Sequence, residues 1–167
     1  MNFTIEKLKS EELPNFHQVF SQVLKEGFCY TLEVIEYFIN KAYTLANFQY
    51  WLNYGHKGII VAKNDAGQIL GYLVYDSPYG GVLFCRWLGV VKEFRKRGIA
   101  SKLFDEFIRI AKTLSCHKIE VASQIPAKGF YAKYGLNQEG FRTKSYFGID
   151  QYIFGKVIGE VNAKMIG

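Results

Sequence analysis

The sequence predicts a mixed α/β domain, an α+β arrangement in which one sheet carries helices on its faces, and three observations predict it. Asn64-Asp65-Ala66-Gly67 is turn chemistry between two apolar runs; an apolar strand, a long amphipathic helix and another strand follow one another from Val82 to Ser123; and three- and four-residue apolar spacing governs the chain before Gly58. At 167 residues with 49% hydrophobic and 22% charged residues, a single domain over 1–167 can bury about two-thirds of its unfolded surface. No repeat, linker or low-complexity segment divides it.

Phe3 to Lys9 alternates as a strand does, and Ser10 precedes two glutamates as an N-cap would. Leu13, Phe16, Val19, Phe20, Val23 and Leu24 then form a helical stripe, with Pro14 in the first turn where its missing N–H is tolerated and Gly27 at the end. Thr31 caps a second helix through Leu32, Ile35, Phe38 and Ile39, and another helical stretch passes through Phe48, Trp51 and Leu52. Ile59 to Lys63 and Gln68 to Tyr75 are the two arms of the hairpin. Pro78, Gly80 and Gly81 turn the chain into a strand from Val82 to Val91, where Gly89 suggests a bulge. Ile99, Leu103, Phe107, Ile110 and Leu114 give the clearest helical stripe of all. A strand over His117 to Ser123, a short helix around Ala127 to Tyr134, and strands near Phe141 to Phe147 and Tyr152 to Val157 complete the chain.

Composition excludes several classes. Cys29, Cys85 and Cys116 are odd in number, widely spaced and without a C-x-x-C, which supports neither a disulfide framework nor a zinc site. No metal is expected, and a reducing compartment, the cytoplasm, is. The first residues lack the apolar run of a signal peptide and no stretch of about 18 apolar residues occurs, so membrane spanning is not expected. A net charge of +6 favours anionic partners.

The chemistry concentrates in Leu88-Gly89-Val90-Val91-Lys92-Glu93-Phe94-Arg95-Lys96-Arg97-Gly98-Ile99-Ala100, an apolar strand that runs through a basic loop into the long helix. Unpaired N–H groups of a first helical turn, the helix dipole and a glycine that admits close approach together make an anion cradle. Taken alone, the segment is also compatible with a solvated basic helix start. Arg95-x-x-Gly98-x-Ala100 resembles the Gln/Arg-x-x-Gly-x-Gly/Ala turn of the GCN5-related N-acetyltransferases (GNAT), with Leu88-x-Val90 and Phe94 matching the strand and loop before it and Lys92 replacing a frequent proline. Downstream, Gln124-x-x-Ala127-x-x-x-Tyr131-x-Lys133-x-Gly135-Leu136 is similar to that family's Asn-x-x-Ala-x-x-x-Tyr-x-Lys-x-Gly-Phe segment, departing at Gln124 and Leu136. The element order agrees along nearly the whole chain.

The resemblance implies a GNAT-like fold: a mostly antiparallel mixed sheet of about seven strands, splayed at the fourth and fifth, with about four helices. It implies acetyl-CoA as cofactor and transfer of its acetyl group to a primary amine, on a small molecule or a protein, by direct attack in a ternary complex. Gly89 would be the bulge, backbone groups of Leu88 and Val90 would bond the pantetheine arm, and the amides of Arg95, Lys96, Arg97, Gly98, Ile99, Ala100 and Ser101 would hold the pyrophosphate. Gln124, Ala127 and Tyr131 would line the arm's other side, and Tyr131 would protonate the departing thiolate. The residues name no base plainly: Glu120 is a candidate on its strand, although alternation with Ile119 and Val121 points it outward, and a water chain is the competing route. Acceptor determinants are expected between Gly27 and Tyr54 and between Phe147 and Tyr152; a homodimer is compatible with the resemblance, since dimers are common in the family, and the sequence leaves the oligomeric state open. Two other readings stay open, a catalytically silent CoA-binding module of this fold and a basic nucleic-acid-binding protein; the second explains the charge but not the Gln124–Leu136 segment.

Overall fold

The computed structural model describes residues 2–161 and Ala163. Among them, β1 (Phe3–Lys7), β2 (Lys57–Asn64), β3 (Ile69–Asp76), β4 (Val82–Val90), β5 (Lys118–Ser123), β6 (Asn137–Arg142) and β7 (Gln151–Val157) form one seven-stranded sheet in the order β1-β2-β3-β4-β5-β7-β6. Every pairing is antiparallel except that of β4 with β5. The parallel pair is joined by α4 (Ile99–Thr113), the crossover such a pair requires.

α4 buries Ile99, Leu103, Phe104, Phe107 and Ala111 at helical spacing, packing them on Leu70, Leu83 and Cys85 of the sheet. Each large side chain so buried contributes about 1.5–3 kcal/mol. α5 (Lys128–Lys133) lies on the same face and adds Tyr131 to that core. The opposite face is covered by α1 (Leu13–Gly27), α2 (Leu32–Tyr37) and α3 (Leu45–Asn53); Phe16, Phe20 and Phe48 of these helices, with Phe38 from the turn after α2, surround Tyr72 and Trp87.

Several local expectations change. Ser10 does not cap a helix: Ser10–Glu12 is a 3-10 turn in which the Lys9 N–H donates to the Glu12 carboxylate at 3.1 Å, and α1 starts at Leu13. The five helical stretches read from the spacing form five α-helices, α2 ending in a π turn over Phe38–Ala42 and α3 capped by the Thr44 hydroxyl, which accepts from the Asn47 N–H. The sixth strand lies at Asn137–Arg142 instead of near Phe141 to Phe147, since Lys144, Phe147 and Gly148 all take positive φ, which an extended strand cannot hold.

Gly89 is not the bulge. It pairs in register with Tyr72, and the irregularity falls where Val74 faces Trp87 and Tyr75 faces Cys85, leaving Arg86 as the extra residue of β4. The bulge reverses the strand's alternation. Leu83 and Cys85 enter the α4-side core, whereas Trp87 enters the α1-side core. Gly89 has a different reason to lack a side chain: a Cβ there would stand 2.6 Å from Val23 Cγ1 and 2.9 Å from the Tyr72 ring. Absence of the methyl lets α1 lie close over β4. Gly89→Ala is therefore expected to destabilise the fold by about 1–3 kcal/mol through overpacking. Urea melts of this variant and of its combination with Val23→Ala check it, the second substitution restoring part of the loss.

Candidate active site

Parallel pairing of β4 with β5 runs from Val82↔Lys118 to Cys85↔Val121 and stops there. β4 continues to Val90 and β5 to Ser123, so the two strands part and open a cleft of about 640 Å³. The Val91 N–H donates to Leu70 O at 3.0 Å, which directs Val91 toward β3. By the alternation of an antiparallel ladder, Val90 and Leu88 then turn their backbone groups toward the cleft. Leu88, Gly89 and Val90 all line it.

Beyond β4 the chain bends through a short 3-10 turn, Lys92–Phe94, into the basic loop. Lys96 at φ 60° and Gly98 at φ 81° adopt left-handed backbone, and Gly98 stands immediately before α4. No side chain caps that helix start, so its first-turn N–H groups, those of Ile99, Ala100 and Ser101 among them, have no intrahelical carbonyl to meet. Space above Gly98 is open, for a Cβ built there would meet nothing within 4 Å. Lys92, Arg95, Lys96 and Arg97 are exposed around the turn. Arg95 points back into the cleft, donating from Nε to Val90 O at 3.0 Å, and Arg97 lies over the Phe94 ring. An uncapped helix N-terminus, left-handed turn residues and surrounding cations fit the phosphates of a nucleotide-bearing cofactor, and the open β4 edge fits an amide-bearing arm.

The facing wall comes from β5 and the turn after it, through Ser123, Gln124, Ala127 and Tyr131. Gln124 Oε1 accepts from the Cys29 N–H at 3.0 Å, tying this wall to the end of α1, while its amide N–H is directed at the Tyr30 hydroxyl. Tyr131 is 6% exposed, packed among Phe104, Phe130 and Phe154. Burial pushes its phenol well above the ordinary value, with the neighbouring Cys85 adding to the effect.

Glu120 is not brought to the cleft. It shares a face with Ala122, which lines the cleft, but stands two residues farther down β5 in an ion pair with Lys118 at 2.8 Å. Lys118 in turn holds Glu139 at 2.7 Å. Among the described residues no Asp, Glu, Lys or His lines the cleft. The expected acceptor segments do reach it, through Phe28, Tyr30, Tyr37, Phe38, Tyr43, Phe147 and Gln151.

Arg86, Trp87 and Arg142 also line the cleft, and sequence reasoning did not single them out. The available signal was a charged residue, Arg86, inside the apolar run from Val82 to Val91; no local pattern pointed to Trp87 or Arg142. Arg86 is fixed by Asp76, which also takes Lys57, and its guanidinium lies 4.6 Å from the Phe84 ring centre. Burial works against the Asp76 carboxylate, yet the bonds from Arg86 and Lys57 outweigh it and hold the carboxyl below its usual range. Tyr30 and Tyr43 are raised by burial, so these wall phenols stay neutral.

Residues 26–136 match the model of the GNAT acetyltransferase family. Among solved structures, a PaiA N-acetyltransferase from Thermoplasma acidophilum in complex with coenzyme A is similar at 20% identity and TM-score 0.80, over 95% of this chain and 100% of that one. An N-acetyltransferase from Staphylococcus aureus Mu50 is similar at 18% identity and TM-score 0.75, over 94% and 99%. A ribosomal-protein-alanine N-acetyltransferase from Brucella melitensis is similar at 19% identity and TM-score 0.74, over 93% and 99%. No curated protein matches in sequence.

Asp76 gives the site a pH signature. Its carboxyl lies lower in the folded than in the unfolded chain, so the stability it contributes is complete above about pH 4 and is lost as pH falls through the folded value. Asp76→Asn is expected to cost about 1.5–3 kcal/mol at pH 7, the range for hydrogen bonds to charged groups. Melts across pH should show the two proteins converging in acid.

Proposed function

The chain belongs to the GNAT family of acetyltransferases, and from that premise we propose that it transfers the acetyl group of acetyl-CoA to a primary amine by direct attack in a ternary complex. Acetyl transfer and the use of acetyl-CoA are properties of the family; the amine acceptor and the residue roles are this reading. One observation carries it: the edge of β4 that β5 leaves open leads, through the turn and basic loop after Val90, to the uncapped start of α4, so amides for an arm and an anion cradle follow one another along the chain.

When bound, acetyl-CoA supplies a thioester-activated acetyl group. Leu88 and Val90 would hold its arm as a strand edge holds an added strand, and the amides from Arg95 to Ser101 would hold its phosphates. A backbone N–H on this edge serves as a one-donor stabiliser of negative charge on the reacting carbonyl oxygen. Gln124 and Ala127 close the opposite side of the groove.

Tyr131 holds its proton throughout the working pH range because burial opposes the phenolate. A buried phenol is a weaker acid than an exposed one, but the same desolvation raises the thiolate it must protonate, so the two remain matched. Amine activation needs a proton acceptor, and among the described residues no carboxylate or imidazole lines the cleft. Water takes that role. Cationic and apolar surroundings also lower the acceptor's ammonium pKa, so less work is left for a base.

Two substitutions separate binding from chemistry. Gly98→Val strains a left-handed position by about 1–2 kcal/mol and puts a branched side chain over the cradle, so acetyl-CoA affinity in calorimetry is expected to fall at least tenfold, about 1.4 kcal/mol. Unchanged affinity would remove the cradle from the reading. Tyr131→Phe keeps the ring packing and should lower turnover by about 100-fold or more with acetyl-CoA affinity preserved. Equal turnover would take Tyr131 out of the mechanism. Acetyl-CoA binding without turnover on any amine would favour a silent module. Salt-sensitive DNA binding that survives Gly98→Val would favour the nucleic-acid reading.

A further inference from the structure

We infer that the acceptor is an amine carrying a carboxylate on an apolar body, as a free hydrophobic or aromatic amino acid does; this rests on the acetyltransferase reading above. Charge comes first. The cleft's only charged side chains among the described residues are Arg86, Arg95 and Arg142. Arg86 is neutralised by Asp76, and Arg95 is bonded to Val90 O where β4 ends. Arg142 stands at the other end, beside the β6–β7 turn, and forms no ion pair with any described residue. A polycationic acceptor would find no carboxylate here and would meet guanidinium groups instead. An anionic one would find a free guanidinium, whose planar fork suits a carboxylate.

An unsatisfied polar atom comes second. Gln151 Oε1 has no hydrogen-bond partner, although its residue is only 7% exposed and lines the cleft, whereas the Trp87 indole N–H is directed at the Tyr43 hydroxyl. Buried polar groups without partners are rare, and one in the cleft wall marks a place where a ligand completes the bonding. Gln151 is the register partner of Arg142, so a carbonyl acceptor and a cationic donor stand side by side across β6 and β7. That pair complements an amine N–H next to a carboxylate. The surrounding wall is aromatic, with Phe38 at 4.8 Å from Phe147, 5.1 Å from Tyr30 and 5.5 Å from Trp87 between ring centres, and would hold an apolar body.

In the reaction the acceptor nitrogen forms one C–N bond as the thioester C–S bond breaks. Starting from the ammonium form, one proton ends on the departing sulfur and one in solvent, giving an N-acetyl amino acid and the CoA thiol. The Arg142 guanidinium fixes the carboxylate without taking part in bond changes.

The test compares each amino acid with its decarboxylated twin: phenylalanine with phenethylamine, leucine with isoamylamine, and methionine with 3-(methylthio)propylamine, with spermidine as the polycation. Thiol release is followed with the native chain. The expected result is at least a tenfold higher kcat/KM for one or more of the acids over its twin, and no preference for spermidine. Arg142→Gln should bring that ratio near one, chiefly by raising KM for the acid, and Arg142→Lys should restore part of it. The side chain is exposed, and thermal melts verify that both variants fold. Twins equal to or better than their acids, a preference for spermidine, turnover of none of the acids, or a ratio untouched by Arg142→Gln would each overturn this inference. Failure of acetyl-CoA to bind in calorimetry would instead overturn the acetyltransferase reading beneath it.

Discussion

The structure depends on the early end of one parallel pairing. Had β4 and β5 stayed together beyond Cys85 and Val121, the sheet would be a closed surface and the N-terminus of α4 would have no groove leading to it. Their separation leaves strand-edge amides and carbonyls inside the molecule, where an unmade hydrogen bond is costly. The Arg95 Nε to Val90 O bond satisfies one of these groups from within the chain. The remainder make the gap a preference for something extended and amide-bearing. Function here is a missing strand segment.

Opening the gap also requires that β4 carry different side chains along its length. Below the bulge, Leu83 and Cys85 serve the α4-side core; past it, Trp87 serves the α1 side and the acceptor end of the cleft. One extra residue, Arg86, makes that exchange, and the bonds from Arg86 and Lys57 to Asp76 hold it in place. The bulge, the ion-paired triad and the splay are thus one device. Asp76 holds the bulge through Arg86, and the bulge turns the Trp87 indole to the α1 side, where its N–H is directed at the Tyr43 hydroxyl.

What the sequence revealed follows from how local each signal is. The stripe through Ile99, Leu103 and Phe107, the Gly67 turn and the basic run before Gly98 are written in adjacent residues, and each appears where it was expected. Gly89 misled because a glycine in a strand has two physical meanings, a bulge or a close approach, and only the packing of Val23 and Tyr72 over it decides between them. Glu120 was readable as a strand carboxylate, but its engagement with Lys118 depends on side-chain geometry that residue spacing does not encode. Arg142 and Gln151 are nine positions apart and become neighbours only through the β6–β7 register. Sites built from cross-strand pairs are invisible to motif reading, whereas a cradle built from one loop is not.

The absence of a carboxylate base from the described cleft wall then has a coherent explanation. A carboxylate beside the amine would accept its proton but would also favour the ammonium form, and it would repel an acidic acceptor. A guanidinium does the reverse on both counts: it draws the carboxylate in, and its charge, beside an aromatic wall, weakens the hold of the amine on its proton. Charge selection and nucleophile activation therefore come from the same arrangement. On that view Tyr131 is the one titratable group the chemistry asks for, and its burial keeps it in the protonated form the last proton transfer needs.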